Sequence, residues 1–455
     1  MKRLFAGILC ICFLVSMVLV GCAPTSPAAP AAPAPGAPAE TTGPNIKIAV
    51  VGPMTFIMGE HNWVGAKIAA DEINEAGGVN VGGVKRKIEL VKVDTNEMSS
   101  IPDAVLAVER AISTDKVDFL VGGYRSEAAI AYHETACKAK KIIMSPPCGD
   151  KSVLSRVRTD YDHYKYSFRI GGGNTGIVAT MIPFGMEFLV NEVRKATGID
   201  RPKIAILGIQ AAWPTQFIDV VKSKHDSWGA DIVGEWRPSM TSSDLTAELT
   251  AIKSAGAQII FTTLGGPINV VFGKQYGELQ IPAAPMGWSV EASDKGYWKA
   301  TGGNCNYEAT TGVYAPGVKA TERSLPFYEK FAKLTNGGSP QQSAATYTGV
   351  WVIKECIEKA GTLDSDKIVI EIENIKFPAP EGIAAYWKLG EVEEKRDDVH
   401  SQKIGPGFTT GFWTQWQNGE LVAVWPPADG SYGGARSEGI KSYVVPPHVV
   451  QYWKK

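Results

Sequence analysis

The chain has 455 residues, of which 44% are hydrophobic and 20% charged, with a formal net charge of −1. This near-neutral balance lacks the basic footprint of a nucleic-acid binder or of a protein drawn to anionic membrane, so no nucleic-acid partner is expected. The length exceeds what one hydrophobic core usually serves and points to two or more domains.

Lys2-Arg3 precede the apolar run Leu4–Val20, which has the charge and hydrophobic length of a secretory signal. Leu19-Val20-Gly21-Cys22 then resembles the lipobox of bacterial lipoproteins, whose cleavage leaves Cys22 as the lipid-bearing N-terminus. The alternative, an uncleaved anchor helix, sits near the short limit for spanning. Ala23–Pro44 is dominated by Ala and Pro, a composition that buries no core and reads as an extended tether. The folded part is therefore expected outside the cytoplasmic membrane, anchored to a membrane through Cys22. No later stretch is long and apolar enough to span a bilayer.

From Ile46 onward, strands and helices alternate. Ile46–Val51 (IKIAVV) reads as a buried strand ending at Gly52-Pro53, followed by a loop over Met54–Asn62 and a helix over Val64–Asn74. Ile88–Val93 is a second strand, and Pro102–Ser113 is a helix with proline in its first turn. The next stretch, Asp118–Ala136, carries the functional signal. The apolar run Phe119-Leu120-Val121 breaks at Gly122-Gly123, and a helix is expected to restart with Ser126 as its N-cap and Glu127 in its first turn. A strand that runs into a helix across a glycine turn exposes free N–H groups at the carboxyl end of a sheet, where open α/β sheets bind anions. Alone, the same pattern also describes an ordinary capped turn. Lys141–Ser145 is a further strand, ending at Pro146-Pro147-Cys148-Gly149.

After Tyr166–Ile170 and the glycine-rich stretch Gly171–Gly176, a long helix is expected over Ile177–Thr197. The alternation then restarts. Strands are expected at Lys203–Gly208, Asp231–Trp236, Gln258–Thr262 and Pro285–Trp288, with helices at Thr215–Trp228, Asp244–Ala255 and Ile268–Glu278 between them. Gly312–Ala315, Pro326–Leu334 and the helix Ala344–Ala360 read as a return to the first unit, and Gly390–Lys455 is less regular. The expectation is an α/β protein of two Rossmann-like parallel-sheet lobes, with ligand-facing loops across a cleft. The expected bounds are 1–21 for the signal, 22–44 for the tether, 45–170 plus 313–400 for lobe 1, 171–312 plus 401–430 for lobe 2, and 431–455 for a C-terminal extension.

At this point the residues resemble a known family. IKIAVVGPM, GAKIAADEINEAGGV, RKIELVKVD and DKVDFLVGGYRS, in this order, resemble the type I periplasmic binding proteins, and within them the branched-chain amino-acid and amide class of ABC-transporter solute-binding proteins. The resemblance runs over Ile46–Trp425. Val399-His400, Gly405-Pro406-Gly407-Phe408, Gln415-Trp416 and Val424-Trp425-Pro426-Pro427 resemble the carboxyl region of one branch of that class. It implies two lobes joined by a three-crossing hinge and a non-enzymatic, monomeric receptor. Such a receptor closes on a small molecule and delivers it to membrane permease subunits, without a cofactor or metal.

The resemblance also carries positions across. A hydroxyl that binds the ligand carboxylate falls on Ser126, beside Tyr124 and Arg125, whose guanidinium suits bidentate carboxylate capture. The second loop reads Pro147-Cys148-Gly149, so the family's hydroxyl is missing and Gly149 offers its N–H. The capping aromatic of the second lobe falls on Trp213. The aromatic of the first loop falls near Met58, and the tyrosine after the Gln258–Thr262 strand falls near Leu264. Amino-acid binders place an acid right after a Met-Gly strand end, but Met286-Gly287 is followed by Trp288-Ser289, and Glu291 comes two residues late. A buried ammonium without a charged partner is costly, so this departure implies a change of ligand. The expected ligand is a small carboxylate- or amide-bearing molecule, an aromatic acid or a relative of the branched-chain amino acids. A ligand sensor of the same fold, signalling to a membrane partner, is the alternative.

Other motifs lead elsewhere less well. Gly171-x-Gly173-x-x-Gly176 matches a dinucleotide fingerprint, but the next strand ends at Gly208-Ile209-Gln210 without the required acid, so these glycines read as an interlobe crossing. Gly287-Trp288-Ser289-Val290-Glu291 resembles a nucleophile elbow without its final glycine. The six histidines are scattered, His400 reads as structural, and no cysteine or histidine spacing suggests a metal. Cys137, Cys148, Cys305 and Cys356 remain after the signal and the lipid site, and their pairing is open.

Overall fold

The computed structural model of the protein describes residues 42–146, 148–171, 177, 180–335, 340–391, 399–405, 407–409, 411–427 and 439–454. The signal, Cys22, Pro147, residues 172–176 and most of the Ala/Pro tether lie outside the described residues.

The strands of the two main sheets are numbered β1 to β12 in chain order. The first sheet holds β1 (Ile46–Gly52), β2 (Ile88–Asp94), β3 (Phe119–Gly122), β4 (Ile143–Ser145) and β5 (Ser167–Arg169). They lie in the order β2-β1-β3-β4-β5, all parallel. The period of two in β1 explains its continuous apolar run. Ile46, Ile48 and Val50 enter one core with Ala66, Ala69 and Val350, whereas Ala49 and Val51 enter the opposite one with Ala104 and Ala128. Both faces are covered by helices, as a parallel sheet requires. On one face, helix Ile57–Glu75 meets helix Gln341–Ala360 so closely that a Cβ at Gly65 would lie 2.0 Å from the Ser343 carbonyl oxygen.

The second sheet holds β6 (Lys203–Gly208), β7 (Asp231–Trp236), β8 (Ile259–Leu264), β9 (Ala284–Ser289), β10 (Ala309–Gly312), β11 (Phe412–Gln417) and β12 (Glu420–Trp425). Its order is β12-β11-β10-β9-β8-β6-β7, parallel from β7 to β10 and antiparallel over β10-β11-β12. Two expectations need correction here. The return to the first unit expected from Gly312 does not start there: Gly312 ends a strand, Ala309–Gly312, that pairs with Met286-Gly287 of the second sheet. The carboxyl region is also more regular than its composition suggested. Asn418 and Gly419 have φ of 53° and 91° and join β11 to β12, the Asn-Gly hairpin turn that suits strand twist. Trp413, Trp416 and Trp425 are buried there, and the Trp413 indole donates to the Met181 carbonyl at 3.0 Å.

The chain passes between the sheets after β5, after β10 and before β11. At the last passage Gln402 accepts from Gly171 N (2.5 Å) and donates to Thr409 Oγ1 (2.7 Å), while Thr348 Oγ1 donates to both oxygens of the buried Glu381 (3.1 Å each). Among the described residues, no helix is long and apolar enough to cross a membrane, and Cys137, Cys148, Cys305 and Cys356 are free and buried.

Candidate functional site

The floor of the site is built where three first-sheet strands end. β3 stops at Gly122-Gly123, with φ of 110° and 114°. A Cβ at Gly123 would lie 2.0 Å from the Tyr132 hydroxyl, so only glycine fits this turn. The helix that follows spans Ser126–Lys138, and its N-cap is Arg125 rather than the expected Ser126. The Ser126 hydroxyl instead accepts from Asp150 N (3.2 Å) and ties the β3 loop to the β4 loop. Glu97, from the β2 loop, is fully buried and accepts from Arg125 N (2.7 Å) and Thr95 Oγ1 (2.8 Å). Burial pushes its carboxyl pKa up against those hydrogen bonds. Arg125 donates through Nη1 to the Glu97 carbonyl and through Nε to Glu127, both at 3.3 Å. The first N–H groups of the helix have no intrahelical acceptor, and the dipole favours an anion there.

Across from this floor stands an aromatic wall from the second lobe. Trp213 begins helix Pro214–Lys224 and meets Phe217 edge-on, with ring centroids 5.8 Å apart. Phe217 in turn meets Trp288, at the end of β9, at 5.3 Å. Floor and wall enclose a cavity of about 230 Å³, completed by Met98, Ile209–Ala211, Met240, Gly265, Val290 and the two glutamines Gln341 and Gln342. The charged groups lining it are Arg125 and Glu127, which are paired with each other. Burial, with the Glu291 and Glu97 carboxylates nearby, raises the Tyr124 hydroxyl well above its ordinary pKa and keeps it a hydrogen-bond donor.

The cavity thus gathers Tyr124, Arg125, Ser126, Gly149, Trp213 and Trp288 from the residues singled out in the sequence. Others lie elsewhere. Leu264 is fully buried among Ala205, Ile260 and Phe272, and its successor Gly265 lines the cavity instead. Ser289 points away from its neighbour Trp288, as alternate strand residues do, and its buried hydroxyl bonds Thr262 Oγ1 at 3.1 Å. The Cys148 thiol lies in the first-lobe core, and its burial pushes its pKa up to about 12, which leaves it a neutral packing group. Met58 and Glu291 line a smaller adjoining pocket. Glu291 Oε1 accepts from Gly266 N at 2.7 Å.

Sequence reasoning missed Phe217, Glu97 and the glutamines. Phe217 carried a signal, since it follows Trp213 at i+4 on one helix face. Glu97 had the weaker cue of an acid just past a strand end. Gln341 and Gln342 reach the cavity only through packing of helix Gln341–Ala360 against helix Ile57–Glu75, which no local pattern announces.

The comparisons agree with this architecture. The sequence profile described as periplasmic binding protein matches residues 45–393. An amino acid binding protein of Pseudomonas aeruginosa is 28% identical over 222 residues, covering 48% of this chain and 53% of that protein, so the match spans about half that relative's length. A leucine binding protein from Thermotoga maritima MSB8 superposes with a TM-score of 0.65 at 20% identity, over 83% of this chain and 97% of that one. An ABC-transporter solute binding protein from R. palustris, solved in complex with benzoate, gives 0.65 at 15% identity, over 83% and 95%. The profile match covers most of the chain, and the two-lobe fold is that of the type I proteins: the chain belongs to the periplasmic binding protein family.

Proposed function

We propose that this protein is the extracytoplasmic receptor of an ABC importer, lipid-anchored through Cys22, and that it captures a small apolar carboxylate, with single-ring aromatic acids as the preferred class. One observation carries the reading. The wall of Trp213, Phe217 and Trp288 faces a floor that offers Arg125, Ser126, Gly149 N–H and a helix N-terminus. An apolar cavity of about 150 Å³ already holds benzene. The 230 Å³ here therefore leaves room for one ring and a carboxylate. Offset and edge contacts with aromatic side chains add about 0.5–1.5 kcal/mol each beyond area burial. An α-ammonium would find Glu127 already paired with Arg125, and Glu291 displaced to the adjoining pocket.

The mechanism is lobe closure without chemistry. The ligand docks on the first-lobe floor, and the second-lobe aromatics cover it. Closure is driven only by the ligand's greater affinity for the closed form. Permease subunits in the membrane would then read the closed shape, with the lobes divided near residues 170, 312 and 400. The test is a titration of tryptophan fluorescence and melting temperature with benzoate, phenylacetate, leucine and isoleucine. Benzoate or phenylacetate should shift both signals saturably. No shift with any of the four would contradict the reading.

A further inference from the structure

Beside the main cavity, and sharing Trp288 and Gln342 with it, lies a pocket of about 60 Å³. Met58 and His61 line it from the first lobe, Glu291 and Asp294 from the second. Its volume is well under the about 150 Å³ that holds benzene, too small for a ring and suited to one polar substituent. Two acceptors are buried there without a hydrogen-bond partner among the described residues, Glu291 Oε2 and Gln342 Oε1. The other Glu291 oxygen is held by Gly266 N at 2.7 Å, which fixes the carboxyl group and leaves Oε2 as its unused acceptor. A buried acceptor without a donor is destabilising, and a ligand group that supplies the donor recovers that loss on binding. A methoxy group or second carboxylate would present lone pairs to lone pairs.

We propose that this pocket is a subsite for a hydrogen-bond-donating substituent on the ligand, a hydroxyl or amino group received by Glu291 Oε2 and Gln342 Oε1. The inference rests on the reading of the main cavity as an aromatic carboxylate site and narrows its ligand class to donor-substituted acids. Burial, with Asp294 on the same loop, raises the Glu291 carboxyl to about 7. The groups that face it are Asp294, His61 and, across the cleft, Tyr124.

The test is calorimetric titration of the full chain at pH 8, where Glu291 is ionised, with benzoate, 3-hydroxybenzoate, 4-hydroxybenzoate and the two matching methoxybenzoates. At least one hydroxybenzoate should bind about 10-fold tighter than benzoate, the equivalent of about 1.4 kcal/mol, and its methoxy counterpart should lose that gain. Glu291→Gln keeps an oxygen for Gly266 N but turns the free position into a donor, and should bring the hydroxybenzoate-to-benzoate ratio within about 3-fold. Gln342→Met, which leaves the Glu291–Gly266 contact in place, should lower the same ratio. If the acids bind with equal affinity, or the ratio survives both substitutions, the subsite is refuted and the carboxylate reading stands. If none of the acids binds, the carboxylate reading itself falls, and the subsite with it.

Discussion

Replacing Arg125 by alanine separates a binding role from a structural one. The guanidinium spends Nε on Glu127 and Nη1 on the Glu97 carbonyl, each at 3.3 Å, and no bond to Nη2 is seen among the described residues. A ligand carboxylate on the floor would gain a charge-assisted hydrogen bond worth about 1.5–3 kcal/mol. At about 1.4 kcal/mol per decade, its loss weakens binding by roughly 10- to 150-fold. Folding should respond far less. The Arg125 and Glu127 side chains are 37% and 40% exposed, and pairs of that exposure are worth about 1 kcal/mol or less. The assay is calorimetry with benzoate alongside thermal melting of the ligand-free protein. The expected signature is a large change in Kd with a small change in Tm, and Glu127→Gln should bind benzoate as tightly as the parent or tighter. A change in Kd below about 3-fold would refute the reasoning, because it is less than any charge-assisted bond predicts. So would a collapse of Tm in parallel with affinity.

Other consequences are equally specific. Trp213→Ala removes the cover of the cavity and should weaken benzoate binding about 10-fold, measured by calorimetry; unchanged affinity would place the tryptophan outside the bound surface. Gly123→Ala forces a methyl to within 2.0 Å of the Tyr132 hydroxyl in a backbone region hostile to side chains, and should cost about 1–3 kcal/mol in chemical denaturation and lower ligand affinity. The buried Glu381 titrates upward to about 7 because burial disfavours its charged form. The folded state then holds a proton that the unfolded chain releases near 4.5, so this group's contribution to stability falls as pH rises from about 4.5 to 7 and levels off above. Glu381→Gln should therefore gain in Tm relative to the parent across that interval. A flat difference would contradict it.

Much of the fold was legible because parallel strands buried on both faces write themselves as unbroken apolar runs. IKIAVV and DFLVGG are such runs, and their helices begin and end at recognisable residues. The hairpin Phe412–Trp425 was not read, although Gln417-Asn418-Gly419 between tryptophan-rich strands is a hairpin signal. Its surroundings of glycine and proline drew the reading toward loop. At the site, the residues carried by one turn, Tyr124, Arg125 and Ser126, were legible because backbone chemistry places them. The same logic failed for Leu264 and Ser289, where a step of one residue turns a side chain from cavity to core. Ser126 also took a role no local pattern contains, since its partner Asp150 lies on another strand's loop. Gln342 lay beyond reach because two helices distant in sequence must pack before it meets the cavity.

The aromatic wall and the hydrogen-bonding floor around Arg125 and Ser126 select an apolar carboxylate over an α-amino acid. Parallel calorimetric titrations with benzoate and leucine test it most directly. Saturable benzoate binding is expected, with leucine binding weaker by about 10-fold or more, since among the described residues the acid that lines the main cavity, Glu127, is already paired with Arg125. Tight leucine binding with no benzoate binding would contradict it.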